Sequence, residues 1–581
     1  MRFSIKMMCV LFSSISYFSL SLSAQDLPNY MTPQEQTQMK SYLNSIETRG
    51  FTNPPASKVR AAAEWEEVQT LTIKWLSYTT VLREIVRNAV LECKVIIVCS
   101  DSNSVKTTLT GAGISLQNVS FVAQRTGTGN SVWIRDYMAN TVYTNDVDSL
   151  LLVDWIYNRP RPQDDATPID IAAKMNIPLY QMTNAPYALT TPGGNFIPDG
   201  FGKAFSSKLI LDENTGSTEA QIDTMIKKFM GIEKYVKFQT LPYDGIHHID
   251  MHIKLLDEET MLVGQYPTGI ADGPQIEANI QYLLSNCNSV FGTPYKIVRI
   301  PMPPDGTAWP SGSGDYLTFT NGVFVNKTYI FPTYYEQYDT VAYRIYRENL
   351  PGYKIVGINC NQTIPSSGAI HCITHAVGTN NPLLISHQRL QDTYNTTTPY
   401  IVNAKMMHRS GIQTAKVYYT TDTLQPWSNV SMSITDVINN IWTGNIPAQQ
   451  AGKTVYYYVE ANSVSGKTQV RPITAPTGYW KFKVLGTSTS NNETVVETII
   501  KSIYPNPASA ITCVPIVNSE NQQADISLFN MVGEKVETIF NGNLPVGERN
   551  FFFDARNYSS GVYFVKFASE KDIFTQKIIV K

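Results

Sequence analysis

The residue of this chain with the clearest chemical potential is Cys372, which lies in the run Gly-Ala-Ile-His-Cys-Ile-Thr-His at positions 368–375. Two other segments supply what a thiolate would need to attack a guanidinium carbon: Trp-Ile-Arg-Asp-Tyr at 133–137 and His-His-Ile-Asp-Met-His at 247–252. Together they offer a soft nucleophile, a proton carrier and two carboxylates. A guanidinium is resonance-stabilised, so water alone hydrolyses it extremely slowly. A covalent route through a thiolate splits that step into two easier ones.

Asp136 and Asp250 are the candidate clamps for such a planar cation. Carboxylates hold a guanidinium by paired, charge-assisted hydrogen bonds in its own plane, and this leaves the carbon open to attack from above. A structural ion pair with the preceding Arg135 is the alternative for Asp136. We predict that residues 247–252 form a strand, which would place His248 and Asp250 on one face. That arrangement would combine a proton relay with a clamp.

Several histidines compete with His248 for the role of proton carrier, and the carboxylate beside it favours His248. In the predicted strand, His252 would share its face and His247 would point away. The other competitors are His371 and His375. The spacing His-x-Asp-x-His could also ligate zinc or iron. That alternative stays open, although nothing else in the chain completes a recognisable ligand set, and we predict no metal.

Length and composition bound the class of protein. A chain of 581 residues suggests three or four domains. With 46 basic and 48 acidic residues the charge is nearly balanced, so neither nucleic acid nor an anionic membrane is expected as a partner. The 33 tyrosines and a charged fraction of only 16% are typical of a β-rich extracellular protein.

The N-terminus predicts export. Arg2 and Lys6 precede an uncharged stretch at 7–22 and the small residues Ser23 and Ala24, so residues 1–24 are read as a signal peptide. An uncleaved anchor is the alternative. No later segment approaches ~18 consecutive apolar residues, so no transmembrane segment is expected in the mature chain.

Cysteine usage does not suggest a disulfide scaffold. The seven cysteines are few and scattered, and they form neither a Cys-x-x-Cys pair nor a close Cys/His metal spacing. Most are read as buried single thiols. The seven cysteines are Cys9, Cys93, Cys99, Cys287, Cys360, Cys372 and Cys513.

Strand and helix patterns alternate from about residue 65 to 387, which predicts one α/β domain built of several similar units. Buried strands are predicted at 94–99, 150–155, 260–264, 322–325 and 354–358. Helices are predicted at 80–93, 217–231, 274–287 and 340–350.

The remainder of the chain reads as all-β. Short strands separated by Gly, Pro and Asn turns predict an immunoglobulin-like β-sandwich at 396–485. A polar linker at 486–497 leads to another small β module at 498–581. The domain at 56–395 would be the catalytic one, and residues 25–55 form an N-terminal segment and candidate pro-region.

The last module resembles the C-terminal sorting domain of type IX secretion. Its opening Tyr-Pro-Asn-Pro-Ala at 504–508, the run Gly-Val-Tyr-Phe-Val at 561–565 and its Lys-rich end carry the resemblance. A second, unrelated β-sandwich is the alternative. The resemblance implies the type IX machinery as a partner and a destination that is secreted or on the outer-membrane surface of a Gram-negative bacterium.

The central domain resembles agmatine deiminases and the secreted peptidylarginine deiminases of the Porphyromonas type. The motifs occur in family order at 64–67, 133–137, 193–195, 248–252 and 368–374. The resemblance implies a pentein fold, a five-bladed α/β propeller of ββαβ units, with no cofactor. It also implies roles: Cys372 as nucleophile, His248 as general acid and base, Asp136 and Asp250 as clamps, and Trp133 against the aliphatic stem of the substrate.

Two positions depart from the family pattern. Met138 and Ala139 follow the Trp-x-Arg-Asp-Tyr run, where small-molecule deiminases carry Gly-Pro. The active-site Asn of the family aligns with Thr318, which is therefore a candidate substrate-binding residue.

Arg159 and Arg161 distinguish the candidate substrates. They alternate with Pro160 and Pro162, and two arginines would repel the amine of agmatine but bind the α-carboxylate of a peptide that ends in arginine. The expected substrates are therefore peptides or proteins with arginine, preferentially C-terminal, converted to citrulline and ammonia through a thiouronium intermediate on cysteine. Three alternatives remain: a solvated basic loop offset by Asp164 and Asp165, an agmatine deiminase, and a catalytically inactive surface adhesin.

Overall fold

The structure is a computed structural model that describes residues 27–127, 129–486, 498–509 and 511–581. The predicted signal peptide lies outside the described residues, and so does nearly all of the predicted linker.

Five small sheets form the part of the chain that carries the chemical motifs. Each sheet combines an antiparallel pair of strands with a strand that pairs in parallel after a helical connection. In hydrogen-bonding order the sheets are Val59–Ala61, Asn140–Thr144, Leu150–Trp155 and Leu179–Met182; Lys234–Phe238, Lys203–Ser207 and Ile197–Pro198; Ile253–Leu255, Thr260–Gln265 and Lys296–Pro301; Val323–Val325, Thr328–Thr333 and Lys354–Asn359; His375–Gly378, Val68–Lys74, Lys94–Cys99 and Val119–Ala123.

The longer helices of this part bury apolar residues at three- and four-residue steps. In the helix Glu219–Met230 the buried residues include Ile222, Met225, Ile226 and Phe229. All four predicted helices are present, with ends shifted by up to four residues. The α-helices are Pro33–Leu43, Thr79–Ala89, Ser102–Gly111, Ile134–Tyr137, Pro162–Asp165, Thr167–Met175, Leu209–Asp212, Glu219–Met230, Gly273–Asn286 and Glu336–Asn349, and the 3₁₀ helices are Gly193–Asn195, Ile249–Met251, Ile364–Ser366 and Ala555–Asn557.

One sheet joins the two ends of this part of the chain. The strand His375–Gly378 pairs antiparallel with Val68–Lys74, with His375 opposite Thr72. The Thr72 hydroxyl donates to the His375 carbonyl at 2.9 Å. Because this strand begins three residues after Cys372, the closing pair fixes where the cysteine lies.

The described chain after Gly378 is β-rich, in agreement with the prediction, and it also contains the 3₁₀ helix Ala555–Asn557. Eight strands follow in one connected sheet: Leu384–Ser386, Tyr400–Met407, Ile412–Thr420, Ser428–Asp436, Ile441–Ile446, Thr454–Ser463, Thr468–Arg471 and Trp480–Lys483. Ion pairs from Lys467 to Glu67 and from Arg471 to Glu258 connect these strands to the first part of the chain.

The last module contains two further sheets. They are formed by Ile499–Ile500, Ile511–Asn518 and Gly547–Asp554, and by Lys535–Leu544, Gln522–Phe529, Gly561–Ser569 and Ile573–Val580. Among the described residues, no helix has the length and apolar character needed to cross a membrane.

Candidate active site

Short turns, not strands, present the candidate catalytic residues. The prediction of a strand at 247–252 is wrong: residues Ile249–Met251 form a 3₁₀ helix, and the strand begins only at Ile253. His247 has a left-handed backbone with φ 57°, a conformation that interrupts an extended chain. The shared strand face therefore does not exist, and His248 and Asp250 are brought together by the turn.

Gly194 marks the point on which three of the candidate side chains converge. A β-carbon at this glycine would lie 2.7 Å from His248 Nδ1, 2.9 Å from Asp136 Oδ1 and 3.1 Å from Asp250 Oδ2. The Gly194 amide donates to Asp136 Oδ1 at 2.9 Å, and His248 Nδ1 lies 3.5 Å from the same oxygen. These three side chains line one small space, and all three are fully buried.

We expect Gly194→Ala to lower kcat/KM for an arginine substrate by at least about a hundredfold, since a misplacement of about 1 Å in a catalytic group can cost that much. The added methyl would approach His248 and Asp136 more closely than real β-carbons do. Gly216→Ala is the matched control, because nothing lies within 4 Å of a β-carbon there. Steady-state kinetics and urea unfolding of both variants would check this. Equal activity of the two variants would contradict the placement.

Cys372 lies against the same space. Its Sγ is 3.7 Å from Asp250 Oδ2, and Asn321 Nδ2 donates to Sγ at 3.3 Å. Asn321 Oδ1 accepts from the His371 amide at 3.0 Å. The thiol and the turn that carries it are therefore positioned by one asparagine.

Thr318, the candidate that aligns with the family asparagine, hydrogen bonds to threonine and tyrosine side chains. Its hydroxyl hydrogen bonds to that of Thr320 at 2.9 Å, and its carbonyl accepts from Tyr334. Asn321, which the sequence analysis does not single out, contacts the thiol. The available signal was the dipeptide Asn321-Gly322, which directly precedes a predicted strand.

His371 connects Asp250 to Glu64. Its Nδ1 lies 2.7 Å from Asp250 Oδ2 and its Nε2 lies 2.8 Å from Glu64 Oε1. Glu64 also pairs with Lys254 and, at 3.7 Å, with Arg135. Arg135 thus pairs with Glu64, and no ion pair between Arg135 and Asp136 is present in the described chain. The structural ion pair between Arg135 and Asp136, which was the alternative for Asp136, is therefore not observed among the described residues.

Burial shifts the pKa values of the groups in this space. Burial raises the pKa of the Cys372 thiol well above its usual value, and Asp250 and Asp136 raise it further. Burial lowers the pKa of His248 to about 3 and raises that of Asp136 to about 7, where the charge of Asp250 adds to it. Burial would also raise the pKa of Asp250, but the hydrogen bond and charge of His371 outweigh it, so that pKa is lowered.

Several polar atoms of the site lack a hydrogen-bond partner among the described residues, which is rare for buried groups. They are Asp136 Oδ2, Asp250 Oδ1, His248 Nδ1 and His248 Nε2. A flat ligand with several N–H donors matches the two carboxylate oxygens. Across the described part of the chain, no group of three or more His, Cys, Asp or Glu side chains is arranged to hold a metal ion.

Trp133 and the two predicted substrate arginines are buried, and a β-carbon at Gly368 would contact both the Trp133 ring and Cys372. The Trp133 indole N–H donates to the Leu27 carbonyl at 2.7 Å. Arg159 Nε donates to the Asn29 carbonyl at 3.0 Å, and the charge of Arg159 acts on both Asp136 and His248. Arg161 is fully buried and pairs with Glu35 at 2.7 Å.

The alternative of a solvated basic loop at 159–161 is wrong. Asp164 pairs with Lys74 at 2.5 Å, and Asp165 accepts the Tyr157 amide at 2.7 Å. Neither acidic residue forms an ion pair with the two arginines in the described residues.

Comparison with known proteins identifies the families that this chain matches. The model of the family described as Porphyromonas-type peptidyl-arginine deiminase matches residues 60–377, more than half of the chain. The model of the secretion system C-terminal sorting domain matches residues 502–581 and indicates export to the cell surface. The expected resemblance to both families is therefore confirmed.

Similar proteins include two named "Putative agmatine deiminase". The one from Legionella pneumophila (strain Paris) is 25% identical over 257 residues, which are 42% of this chain and 72% of that protein. The one from Vibrio parahaemolyticus is 24% identical over 287 residues, covering 43% and 76%. A solved structure titled "putative agmatine deiminase" superposes with a TM-score of 0.51 at 18% identity over 57% of this chain and 99% of that one. The first part of the chain thus has the pentein-type fold.

The family match covers all of the turns that present the buried thiol, the imidazole and the two carboxylates. The chain therefore belongs to the Porphyromonas-type peptidyl-arginine deiminase family and is a hydrolase of the C–N bonds of linear amidines.

Proposed function

We propose that this enzyme converts the arginine of peptides and proteins, preferentially a C-terminal arginine, to citrulline and ammonia. The observation that carries the proposal is the pair Asp136 and Asp250, each with an unpartnered oxygen in the described structure, beside the thiol of Cys372. Two carboxylates in that position suit a guanidinium better than any other common side chain.

The proposed steps use the residues of this space alone. The cationic guanidinium binds between Asp136 and Asp250 and stabilises a thiolate, while His248 takes the proton of Cys372. The thiolate attacks the guanidinium carbon. His248 returns the proton to a terminal nitrogen, the C–N bond breaks, and ammonia leaves a thiouronium on the cysteine.

In the second half of the reaction, water is the nucleophile and the cysteine sulfur is the leaving group. A water molecule attacks the thiouronium carbon while His248 takes one of its protons. The C–S bond then breaks, the thiol regains a proton, and citrulline is released with the oxygen of water in place of the lost nitrogen. One guanidinium and one water thus give citrulline and one ammonium. Asn321 would hold the sulfur in place throughout through its 3.3 Å contact.

Binding should depend on pH through Asp136. Burial and the charge of Asp250 raise the pKa of its carboxyl to about 7, and only the ionised form holds a guanidinium. We therefore expect the Kd of an arginine peptide for the Cys372→Ala variant to fall as pH rises through about 7, approaching tenfold per pH unit on the acid side. Titration calorimetry from pH 5.5 to 8.5 would measure it. The same slope in the variant that also carries Asp136→Asn would assign the proton to another group.

Arg161 supports the preference for a C-terminal arginine. Its Nε and Nη2 donate to the two oxygens of the Glu35 carboxylate at 2.7 and 3.2 Å, the fork geometry by which arginine binds carboxylates. Arg159 lies closer to the reacting groups, since its charge acts on Asp136 and His248. A C-terminal peptide carboxylate held by this pair would place the arginine stem along Trp133.

The test compares a peptide that ends in a free arginine carboxylate with the same peptide amidated at its C-terminus. Each charge-assisted hydrogen bond contributes roughly 1.5–3 kcal/mol, so amidation should lower kcat/KM at least about tenfold. Arg161→Ala should erase that difference, and Arg83→Ala, on a surface helix, should keep it. Equal rates on both peptides, or a clear preference for agmatine in a parallel assay, would contradict the proposal.

The remaining finer proposals concern architecture and location. We propose that the five sheets are the blades of a five-bladed propeller, each blade built from the repeated ββαβ pattern. The eight-stranded part would be an immunoglobulin-like sandwich at 396–485. The sorting domain supports passage through the type IX machinery to the outer-membrane surface.

A further inference from the structure

We propose that residues 27–44, here called the N-terminal segment, are an intramolecular inhibitor that occupies the peptide-binding groove, with Glu35 in the place of the substrate's α-carboxylate. A cut directly after the segment would open the groove. The proposal rests on the proposed function, because it takes Arg161 as the carboxylate-binding residue.

The main chain of the segment bonds to groups that the proposed function assigns to the substrate. The Leu27 carbonyl accepts from Trp133 at 2.7 Å and the Asn29 carbonyl accepts from Arg159 at 3.0 Å. The Asn29 amide donates to the Ser366 carbonyl at 2.9 Å. A bound peptide substrate offers the same carbonyl and amide groups, so the segment and a substrate would compete for the same partners.

The turn that the segment contacts leads directly into the catalytic segment. Asn29 Nδ2 donates to the Ser367 carbonyl at 3.3 Å, five residues before Cys372, and the Asn29 side chain is fully buried. The segment therefore lies over the loop that carries the thiol.

The Glu35 carboxylate is held as a substrate carboxylate would be. Besides the two bonds from Arg161, its Oε2 accepts from the Thr32 amide at 2.8 Å, which closes a capping box at the start of the helix Pro33–Leu43. Burial alone would raise the pKa of Glu35, but the bonds and charge of Arg161 and the bonds from Thr32 outweigh burial, so the pKa is lowered. The Pro28 carbonyl also accepts from Arg161, at 2.7 Å. The segment thus holds this buried arginine both by charge and by its main chain.

The consequence is a closed site. Cys372, His248, Asp136 and Asp250 are each 0% exposed, although an enzyme that acts on peptides must admit an arginine side chain to all four. Removing the segment would free the indole of Trp133 and the donors of both arginines together.

The segment ends in a stretch that a protease could reach. Tyr42 anchors the helix through a hydrogen bond from its hydroxyl to the Tyr157 carbonyl at 3.1 Å. Residues 43–45 that follow are exposed. The chain is anchored again at Thr48, whose hydroxyl is 2.8 Å from that of Thr183. A cut between these anchors would leave the segment bound only by its contacts, free to dissociate.

The experiment places the recognition sequence of a site-specific protease after Asn44 in the full chain. Two quantities are measured before and after cleavage: alkylation of Cys372 by iodoacetamide, located by mass spectrometry, and deimination of a peptide that ends in arginine. We expect both rates to rise by at least about tenfold, since an enzyme shows only the activity of its open fraction. A synthetic peptide of residues 27–44 should inhibit the cut enzyme competitively.

Glu35→Gln tests the anchor without cutting the chain. Glutamine keeps the capping box but loses the charge, so E35Q should raise both rates in the uncut protein. Glu47→Gln is the matched control, because Glu47 pairs with Arg125 and Arg49, not with Arg161. The control should leave both rates unchanged.

The outcomes separate this proposal from the proposed function. Deimination at equal rates before and after cleavage would overturn the inhibitor and leave the function standing. Faster alkylation of Cys372 after cleavage, without deimination, would support the covering segment and overturn the function. Unchanged alkylation with no response to Glu35→Gln would also overturn the inhibitor.

Discussion

Replacement of Cys372 by alanine is expected to abolish deimination, with a loss in kcat of about 10⁴-fold or more, as is common when the nucleophile of a covalent mechanism is removed. The thiol is the group from which the proposed covalent bond forms. The fold should survive, because the substitution removes one buried sulfur atom. Single-turnover kinetics and urea unfolding of the variant would measure both quantities.

Cys99→Ala is the control for this substitution. Cys99 is also a buried free thiol, at the end of the strand Lys94–Cys99 and outside the candidate site, so its loss should leave kcat unchanged. Retention of more than about a hundredth of the activity in Cys372→Ala would contradict the covalent route.

Asp250→Asn is expected to lower kcat/KM by about a thousandfold. The carboxylate touches the thiol at 3.7 Å and His371 at 2.7 Å, and asparagine keeps its shape but not its charge. Breaking a buried pair of charges by removing one partner costs about 3–5 kcal/mol, which corresponds to roughly two to four powers of ten in rate. Both kcat and KM should worsen, because the clamp is used in binding and in the chemical step.

The control makes the same aspartate-to-asparagine substitution at the protein surface. Asp101 caps the helix Ser102–Gly111 by accepting from the Asn103 amide at 2.9 Å, and asparagine caps helices equally well. Asp101→Asn should therefore leave kinetics and stability unchanged. A loss below about tenfold in Asp250→Asn would mean that the guanidinium is held by other groups.

Much of the fold was predictable because its strands are continuous apolar runs and its helices have a clear apolar stripe. Both kinds of pattern are local. Lys94–Cys99 and Leu150–Trp155 have the predicted bounds. Short strands such as Ile197–Pro198 cannot be predicted, because two residues are too few to show the alternation of apolar and polar side chains that marks a strand. The sequence at 247–252 predicts a strand because six residues of mixed polarity are compatible with either a strand or a turn. The left-handed φ of His247 cannot be inferred from the residue type.

The candidate site was predictable only where residue types and motifs signal chemistry. Cys372, His248, Asp136 and Asp250 stand in motifs, and the structure brings them to one space. Asn321 and the contact between Glu64 and His371 were not found, since they join positions 51 and 307 residues apart. Those contacts depend on the closing strand pair at His375, which local patterns do not encode. The pairing of Glu35 with Arg161, across 126 residues, escaped prediction for the same reason.

The most direct test of the central claim is the mass of a C-terminal-arginine peptide after incubation with the enzyme cut after Asn44. Replacement of one nitrogen by the oxygen of water adds about one dalton to the peptide, and about three when the water is labelled with oxygen-18, with one ammonia released per peptide. We expect both mass gains in the cut enzyme and neither in the same cut enzyme with Cys372→Ala. An unchanged peptide mass, or an unlabelled product formed in oxygen-18 water, would contradict hydrolysis of the guanidino group through the cysteine.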